Sequence, residues 1–79
     1  MGFVVRRMVS NGVMYLETIP IPNSPTFDNP TEALNWLTGF ADGCIMEVDW
    51  DMDHPGCADI MVARARDGAM VQYAIEGKY

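Results

Sequence analysis

Only one segment of this 79-residue chain has the pattern of a helix, and that segment restricts what the rest can form. In "NPTEALNWLTGFADG" (29–43), Asn29 is the predicted N-cap, Pro30 the first helical residue and Glu32 its capping-box partner. The apolar residues recur at helical spacing on one side, and Gly43 is expected directly after the helix. A helix with a single apolar stripe must pack on another layer, which here has to be a sheet.

Two strands precede this helix. The β-rich runs "FVVRRMVS" (3–10) and "VMYLETI" (13–19) flank Asn11-Gly12, the strongest short-range signal for a β-hairpin. The three prolines of the following segment, 20–29, make it a connector, because proline cannot donate to a ladder. A two-residue turn at Asn11-Gly12 predicts the pairs Arg6–Glu17, Met8–Tyr15 and Ser10–Val13.

Three strands follow the helix, at 44–53, 58–66 and 70–76. We expect a tight turn at "HPGC" (54–57) and a three-residue loop with Gly68 in the left-handed conformation. These turns place Trp50 opposite Met61, Glu47 opposite Arg64, and Asp51 opposite Ile60. We prefer this three-residue loop, which places Val71, Tyr73 and Ile75 on the helix side with Ala65, Ala63 and Met61. A two-residue loop would instead place Tyr73 and Ile75 on the face that carries the acids 47, 49 and 51.

The predicted fold is a single α+β domain over residues 1–79, in the order β-β-α-β-β-β. An antiparallel sheet of about five strands carries the single helix on one face. The opposite face of the sheet is left open to solvent.

A row of carboxylates lies on that open face in this prediction. In "EVDWDMDHPG" (47–56), the acids Glu47, Asp49, Asp51 and Asp53 alternate with Val48, Trp50 and Met52, which we place under the helix. Acids about 6.6 Å apart repel each other and form a sparser version of a nucleic-acid phosphate row. We interpret them as the binding surface for a basic partner, with Tyr15, Ile60 and Tyr73 as its apolar contacts. A merely solvated face is the alternative interpretation.

Charge excludes several partners. The net charge is −6, and the segment from Asp28 to Asp59 holds eight acids with no Lys or Arg. Such a surface repels nucleic acid and anionic membranes, so the expected partner is basic. No apolar run approaches the roughly 20 residues of a membrane span, and the N-terminus lacks the order of a signal peptide. We expect a cytoplasmic protein.

Catalysis and cofactors find little support in the sequence. The chain has one His and one Lys, and it lacks a P-loop, a dinucleotide fingerprint and a nucleophile elbow. We therefore expect no enzyme activity and no cofactor. Asp51, Asp53, His54 and Cys57 could gather around zinc, but a lone H-x-x-C is a weak signal and turn formation explains it without metal. Cys44 and Cys57 are expected to be buried free thiols.

The layout of the chain also resembles that of a known group. A hairpin, then "NPTEALNWLTGFADG" as the only helix, then a meander from "CIMEVDW" to "VQYAIE", in a small acidic chain, resembles several small anti-CRISPR proteins of phages and other mobile elements. The resemblance implies a non-enzymatic phage inhibitor that binds a basic groove or subunit of a CRISPR effector complex. It rests on layout alone, so it assigns no functional residue. A structural domain that pairs with a second copy through its sheet face or edge, forming a homodimer, is the alternative function, and a zinc module is the third.

Overall fold

The structure, a computed structural model, describes residues 2–10 and 16–78. It contains one antiparallel sheet with the strand order β2-β1-β5-β4-β3 and one helix, which confirms the predicted α+β class. In the described residues β2 and β3 are therefore the two edges of the sheet. The elements are β1 (Gly2–Ser10), β2 (Leu16–Pro20), α1 (Pro30–Phe40), β3 (Gly43–Trp50), β4 (Ala58–Arg64) and β5 (Met70–Lys78).

The helix begins where its capping residues predict. Asn29 Oδ1 accepts a hydrogen bond from the Glu32 N–H at 2.9 Å, and Pro30 is the first residue of α1. The C-terminal end differs, because Asp42 (φ 47°), not Gly43, takes the left-handed conformation. Gly43 instead begins β3, where an added Cβ would lie 2.3 Å from the Ala63 carbonyl oxygen. The strand pairing therefore needs this glycine, and the helix end does not.

The core lies between α1 and one face of the sheet. From the helix, Ala33 and Leu37 are fully buried. The packing is extended by a stack of Trp36 on Phe40, whose ring centroids are 4.7 Å apart, and by an edge contact of Phe40 with Tyr73. The sheet side of the core consists mainly of Phe3, Val5, Ala58, Ile60, Val62, Tyr73 and Ile75.

The first hairpin does not have the predicted register. Ser10 pairs with Leu16, not Val13, and Met8 pairs with Thr18, not Tyr15, a shift of three residues. Arg6 correspondingly lies opposite Pro20 and not Glu17. A two-residue turn cannot connect this pairing; residues 11–15, including Asn11-Gly12, lie outside the described residues. The observed register brings Ile21, directly after β2, into the core, and this burial outweighs the local turn signal.

The β3–β4 pairing corrects the prediction for the second hairpin. The tight turn at 54–57 forms as predicted, with the Cys57 N–H donating to the His54 carbonyl at 3.0 Å and Gly56 at a φ of 89°. The strand before it is shorter than predicted, because β3 ends at Trp50 and residues 51–53 belong to the loop that precedes the turn. Trp50 pairs with Ala58 and Glu47 with Met61, not with Met61 and Arg64 as predicted. The observed register reverses which residues of β4 face the helix, so that Ile60 and Val62 lie on that side and are buried. Burial of these two β-branched side chains explains the preference.

The last turn confirms one feature of the prediction and corrects another. Gly68 has a φ of 72°, as expected, and its N–H donates to the Arg64 carbonyl at 2.7 Å. Val71, Tyr73 and Ile75 lie on the helix side as predicted. Their partners are Val62, Ile60 and Ala58, however, and not Ala65, Ala63 and Met61.

Candidate protein-binding face

The sheet face opposite α1, called the outer face below, carries the candidate site. Cross-strand partners share a face, so the register defines its rows. One row crosses all five strands through Glu47, Met61, Gln72, Met8 and Thr18. The next row consists of Asp49, Asp59, Ala74, Arg6 and Pro20.

Two of the four predicted acids occupy the expected place. Glu47 and Asp49 are exposed on the outer face, while Val48 between them packs against the core. The prediction for this part of β3 is therefore correct. A bulge between Ile45 and Glu47 adds one residue, which lets both Ile45 and Val48 pack against the core.

The other two predicted acids do not continue the row. Asp51 and Asp53 lie in the loop after β3, and Asp51 is occupied within that loop. One Asp51 carboxylate oxygen accepts the Asp53 N–H at 2.9 Å, and the other lies 2.9 Å from His54 Nδ1. The hydrogen bond from the Asp53 backbone, and then that from His54, lower the pKa of Asp51. Asp51 thus closes a turn, which is a structural role.

Asp59 and Glu76 join the outer face without having been predicted. Asp59 lies directly opposite Asp49, and Glu76 follows Ala74 by two residues on the same side of β5. A correct β3–β4 register would have placed Asp59 on the outer face, because cross-strand partners share a face and its partner is Asp49. We call Glu47, Asp49, Asp59 and Glu76 the outer acids.

The Asp49–Asp59 pair is electrostatically unfavourable in the free protein. Partners of this kind have Cα atoms about 4.5–5.5 Å apart, and like charges placed directly opposite destabilise a sheet. Both side chains are exposed, so a dielectric constant near that of water applies, and two unit charges about 5.5 Å apart then repel each other by about 0.8 kcal/mol. The ion pairs found among the described residues leave both carboxylates unneutralised.

Two arginines that could neutralise the outer acids, Arg64 and Arg6, each have an acidic partner already. Arg64, predicted to face Glu47, binds Asp67 in the β4–β5 turn through two hydrogen bonds of 3.0 and 2.7 Å. This guanidinium, helped by the Ala69 N–H, lowers the pKa of Asp67 to about 2. Arg6 lies 3.5 Å from a Glu76 carboxylate oxygen and also donates to Thr18. Glu76 is therefore the one outer acid with an ion-pair partner among the described residues.

The outer face is concave around these acids. A cavity of about 410 Å³ is lined by residues that include Asp49, Asp59, Glu76, Met8 and Met52. A smaller cavity of about 120 Å³ adjoins it, with Glu47 and Met61 in its lining. The two linings therefore combine carboxylates with methionines, whose side chains are flexible enough to adapt to a partner's surface.

The predicted apolar contacts are not on this face. Ile60 is fully buried on the helix side, because the β4 register is the reverse of the predicted one. Tyr73, which is 7% exposed, pairs with Ile60 on the same side, as the three-residue loop at Gly68 predicts. Tyr15 lies outside the described residues. Trp50 lies on the helix side of β3 as expected, opposite Ala58, but it is 42% exposed. Met52, expected under the helix, lies in the loop after β3 and is 91% exposed.

The described part of the chain offers no cluster of side chains for a metal ion, and both of its cysteines are free thiols. It holds no cluster of three or more His, Cys, Asp or Glu side chains that could bind an ion, so the four loop residues proposed for zinc are not gathered. Both cysteines are free, and Cys44 is exposed, not buried as expected. Cys57 is half-buried, and its Sγ accepts the Gly77 N–H at 3.4 Å.

Comparison with known proteins adds no relative. A scan against protein-family models, a search of curated proteins and a search of solved structures each found no match. Among the described residues there is also no helix of the length and apolarity that crossing a membrane requires.

Proposed function

We propose that this protein is a non-catalytic binding protein whose outer face docks on a basic protein surface of the kind that holds nucleic acid. In this proposal the protein competes with nucleic acid for that surface. An inhibitor of a CRISPR effector complex, encoded by a phage and acting in the host cytoplasm, is the specific case that the layout of the chain suggests.

The observation that carries the proposal is the opposed Asp49–Asp59 pair, with Glu47 beside it. A sheet face that served only for solubility could place its acids apart, or alternate them with Lys and Arg. Here the free protein retains a repulsive pair, and a cation from a partner would relieve that repulsion on binding. The energetic cost in the free state therefore becomes a gain in the complex.

The mixed chemistry of the outer face also supports docking. Met8 and Met61 are half-buried on the same face as the outer acids, so a partner would find apolar contacts beside the charged ones. The concavity offers a basic side chain contacts on more than one side. Charge alone would give attraction at a distance, whereas shape and apolar area give a defined complex.

Self-association through β3 is disfavoured by the same residues. If two copies paired their β3 edges antiparallel about a two-fold axis near the middle of the acidic segment, Glu47 and Asp49 of one copy would lie opposite those of the other. Like charges directly opposite destabilise such a pairing. A basic partner is therefore the better match for this surface than a homodimer.

Affinity capture from a nuclease-treated prokaryotic lysate tests the proposal. We expect the immobilised protein to retain a partner at about 0.05 M salt and to release it at about 1 M, since surface charges are screened. A DNA or RNA oligonucleotide should also release that partner. A purified CRISPR effector complex, assayed for target binding, provides the direct test of the specific case.

Matched variants identify the surface in this experiment. The triple variant E47Q/D49N/D59N removes three exposed charges from the outer face with little change in shape. The control D42N removes one charge near the opposite end of β3, and Asn tolerates the positive φ found there. Capture that the triple variant retains, or that nucleic acid cannot reverse, would contradict the proposal.

A further inference from the structure

The open edge of β3 presents hydrogen-bonding groups beside the outer acids. The Asp51 N–H donates to the Cys57 carbonyl at 2.9 Å, in the same register as the pairs Asp49–Asp59 and Glu47–Met61. Bonded and non-bonded pairs alternate along antiparallel strands. The backbone N–H and C=O groups of Val48 and Trp50 therefore point away from β4, to a side where no described strand lies.

The other edge of the sheet is less suited to pairing. β2 has only five residues and ends at Pro20, which has no N–H to donate. β3 has eight residues, and the segment from Glu47 to Trp50 follows the bulge with a regular register. Of the two edges in the described sheet, β3 is therefore the better suited to accept a further strand.

The side chains of β3 specify what such a strand would carry. Residues opposite Glu47 and Asp49 would share the outer face with these carboxylates, so Lys or Arg is the complementary choice. Residues opposite Val48 and Trp50 would lie on the helix side, next to an apolar side chain and a half-exposed indole. Apolar residues fit there. Because acidic and apolar side chains alternate along β3, the complementary strand is one in which basic and apolar residues alternate.

We propose that β3 binds its partner by strand addition: an extended segment with alternating basic and apolar residues pairs antiparallel with the Glu47–Trp50 edge. This inference rests on the proposed function and specifies how the basic partner is recognised. Backbone hydrogen bonds would supply affinity, while the outer acids would select for cations. A second copy of this chain is disfavoured, since its own β3 would bring acids against acids.

A pair of synthetic peptides tests strand addition. The probe is the acetylated and amidated heptapeptide Lys-Val-Lys-Val-Lys-Val-Lys, and its affinity is measured by calorimetry. Antiparallel pairing directs the valine N–H groups to β3 and the lysine N–H groups to solvent. Backbone N-methylation of the valines should therefore weaken binding by about tenfold or more, as expected for two or more lost hydrogen bonds. N-methylation of three lysines adds the same number of methyl groups and should change the affinity by less than about threefold.

Hydrogen exchange on the full chain provides an independent readout. Binding of the unmethylated peptide should slow exchange of the Val48 and Trp50 amides. The amides of Glu47 and Asp49 face β4, so their exchange should change much less. A peptide with the same composition in the order Lys-Lys-Lys-Lys-Val-Val-Val controls for charge attraction alone.

The outcomes separate this inference from the proposed function. Equal affinities of the two methylated peptides, with no slowing at Val48 and Trp50, would overturn strand addition. The variant E47Q/D49N keeps the edge and removes the charges. If it bound the peptide as well as the original protein does, the proposed role of the outer acids would fail, whatever the methylated peptides show.

Discussion

At the scale of single residues, the opposed carboxylates of Asp49 and Asp59 should destabilise the folded protein. We predict that D49N and D59N each raise the free energy of unfolding by about 0.2–1 kcal/mol, because either change removes the cross-strand repulsion. Each should also weaken binding of the basic partner. Urea denaturation of the single variants, together with a binding assay, measures both effects.

The double variant D49N/D59N serves as the control for this prediction. Each single change already removes the repulsion, so the double variant should gain little beyond either one. Additive gains would show that the two carboxylates do not interact. A loss of stability in both single variants would contradict the prediction.

Asp67 is the second residue whose charge has a structural effect that can be measured. Arg64 and the Ala69 N–H hold its pKa at about 2, below the usual 3.8. A carboxylate with a lowered pKa stabilises the folded state above its unfolded pKa, and this contribution is lost as the pH falls from about 3.8 to about 2. We expect R64Q to raise the pKa of Asp67 and so to narrow the pH range over which this contribution to stability is lost. The pKa should stay below its usual value, because the hydrogen bond from the Ala69 N–H remains.

The pKa of Asp67 can be measured by following the NMR chemical shift of its side-chain carboxyl carbon as a function of pH. R66Q is the matched control, since it removes an arginine from the same turn and should leave the pKa of Asp67 where it is. An Asp67 pKa that stays at about 2 in R64Q would show that the guanidinium is not its main cause.

At the scale of elements, Gly43 is needed because of a close approach between β3 and β4. A Cβ there would lie 2.3 Å from the Ala63 carbonyl oxygen, so G43A must displace backbone. We predict a loss of about 1–3 kcal/mol in the free energy of unfolding, as for other overpacked sites. Gly39, in α1, provides the control, because a Cβ at this position meets no atom within 4 Å. G39A should gain up to about 1 kcal/mol from helix propensity.

Chemical denaturation of the two variants decides this prediction, and hydrogen exchange along β3 localises the effect. A neutral G43A would mean that β3 and β4 separate at little cost. The β3 edge would then be too weakly held to keep a fixed register with a partner strand.

At the scale of elements, local features could be predicted from the sequence, whereas strand registers could not. The start of α1 and the conformation of Gly68 depend on neighbours along the chain, and both were predicted correctly. The strand registers depend on which distant side chains are buried together, which the sequence alone does not specify. Local turn signals at Asn11-Gly12 and "HPGC" gave registers that Ile21, Ile60 and Val62 override.

The same contrast between local features and strand registers applies to the candidate site. Glu47 and Asp49 were placed correctly, because Val48 between them is apolar and the alternation in β3 is local. Asp51 and Asp53 were assigned to the same strand, although it ends at Trp50. Asp59 was missed, because its face follows from the β3–β4 register. The sheet face of Glu47 and Asp49 could therefore be predicted from the sequence, but the full set of acids on that face could not.

At the scale of the whole molecule, net charge links stability and binding through salt. The longest extent of the fold is 35 Å, comparable to the Debye length of about 30 Å at 0.01 M salt, so most charges of the free protein interact at that concentration. With a net charge of −6 these interactions are repulsive on balance, and salt should relieve them. Attraction to a basic partner, by contrast, should weaken as salt increases.

We therefore predict opposite responses to salt in the free protein and in its complex. If screening between about 0.01 and 0.5 M NaCl recovers about 1 kcal/mol, the Tm of a domain of this size should rise by about 4–8 °C. Over the same range the Kd of the complex should increase. The triple variant E47Q/D49N/D59N has three fewer negative charges and should show a smaller rise in Tm. A Tm that is independent of salt, or equal salt responses of the original protein and the triple variant, would show that the outer acids do not dominate the electrostatics of this fold.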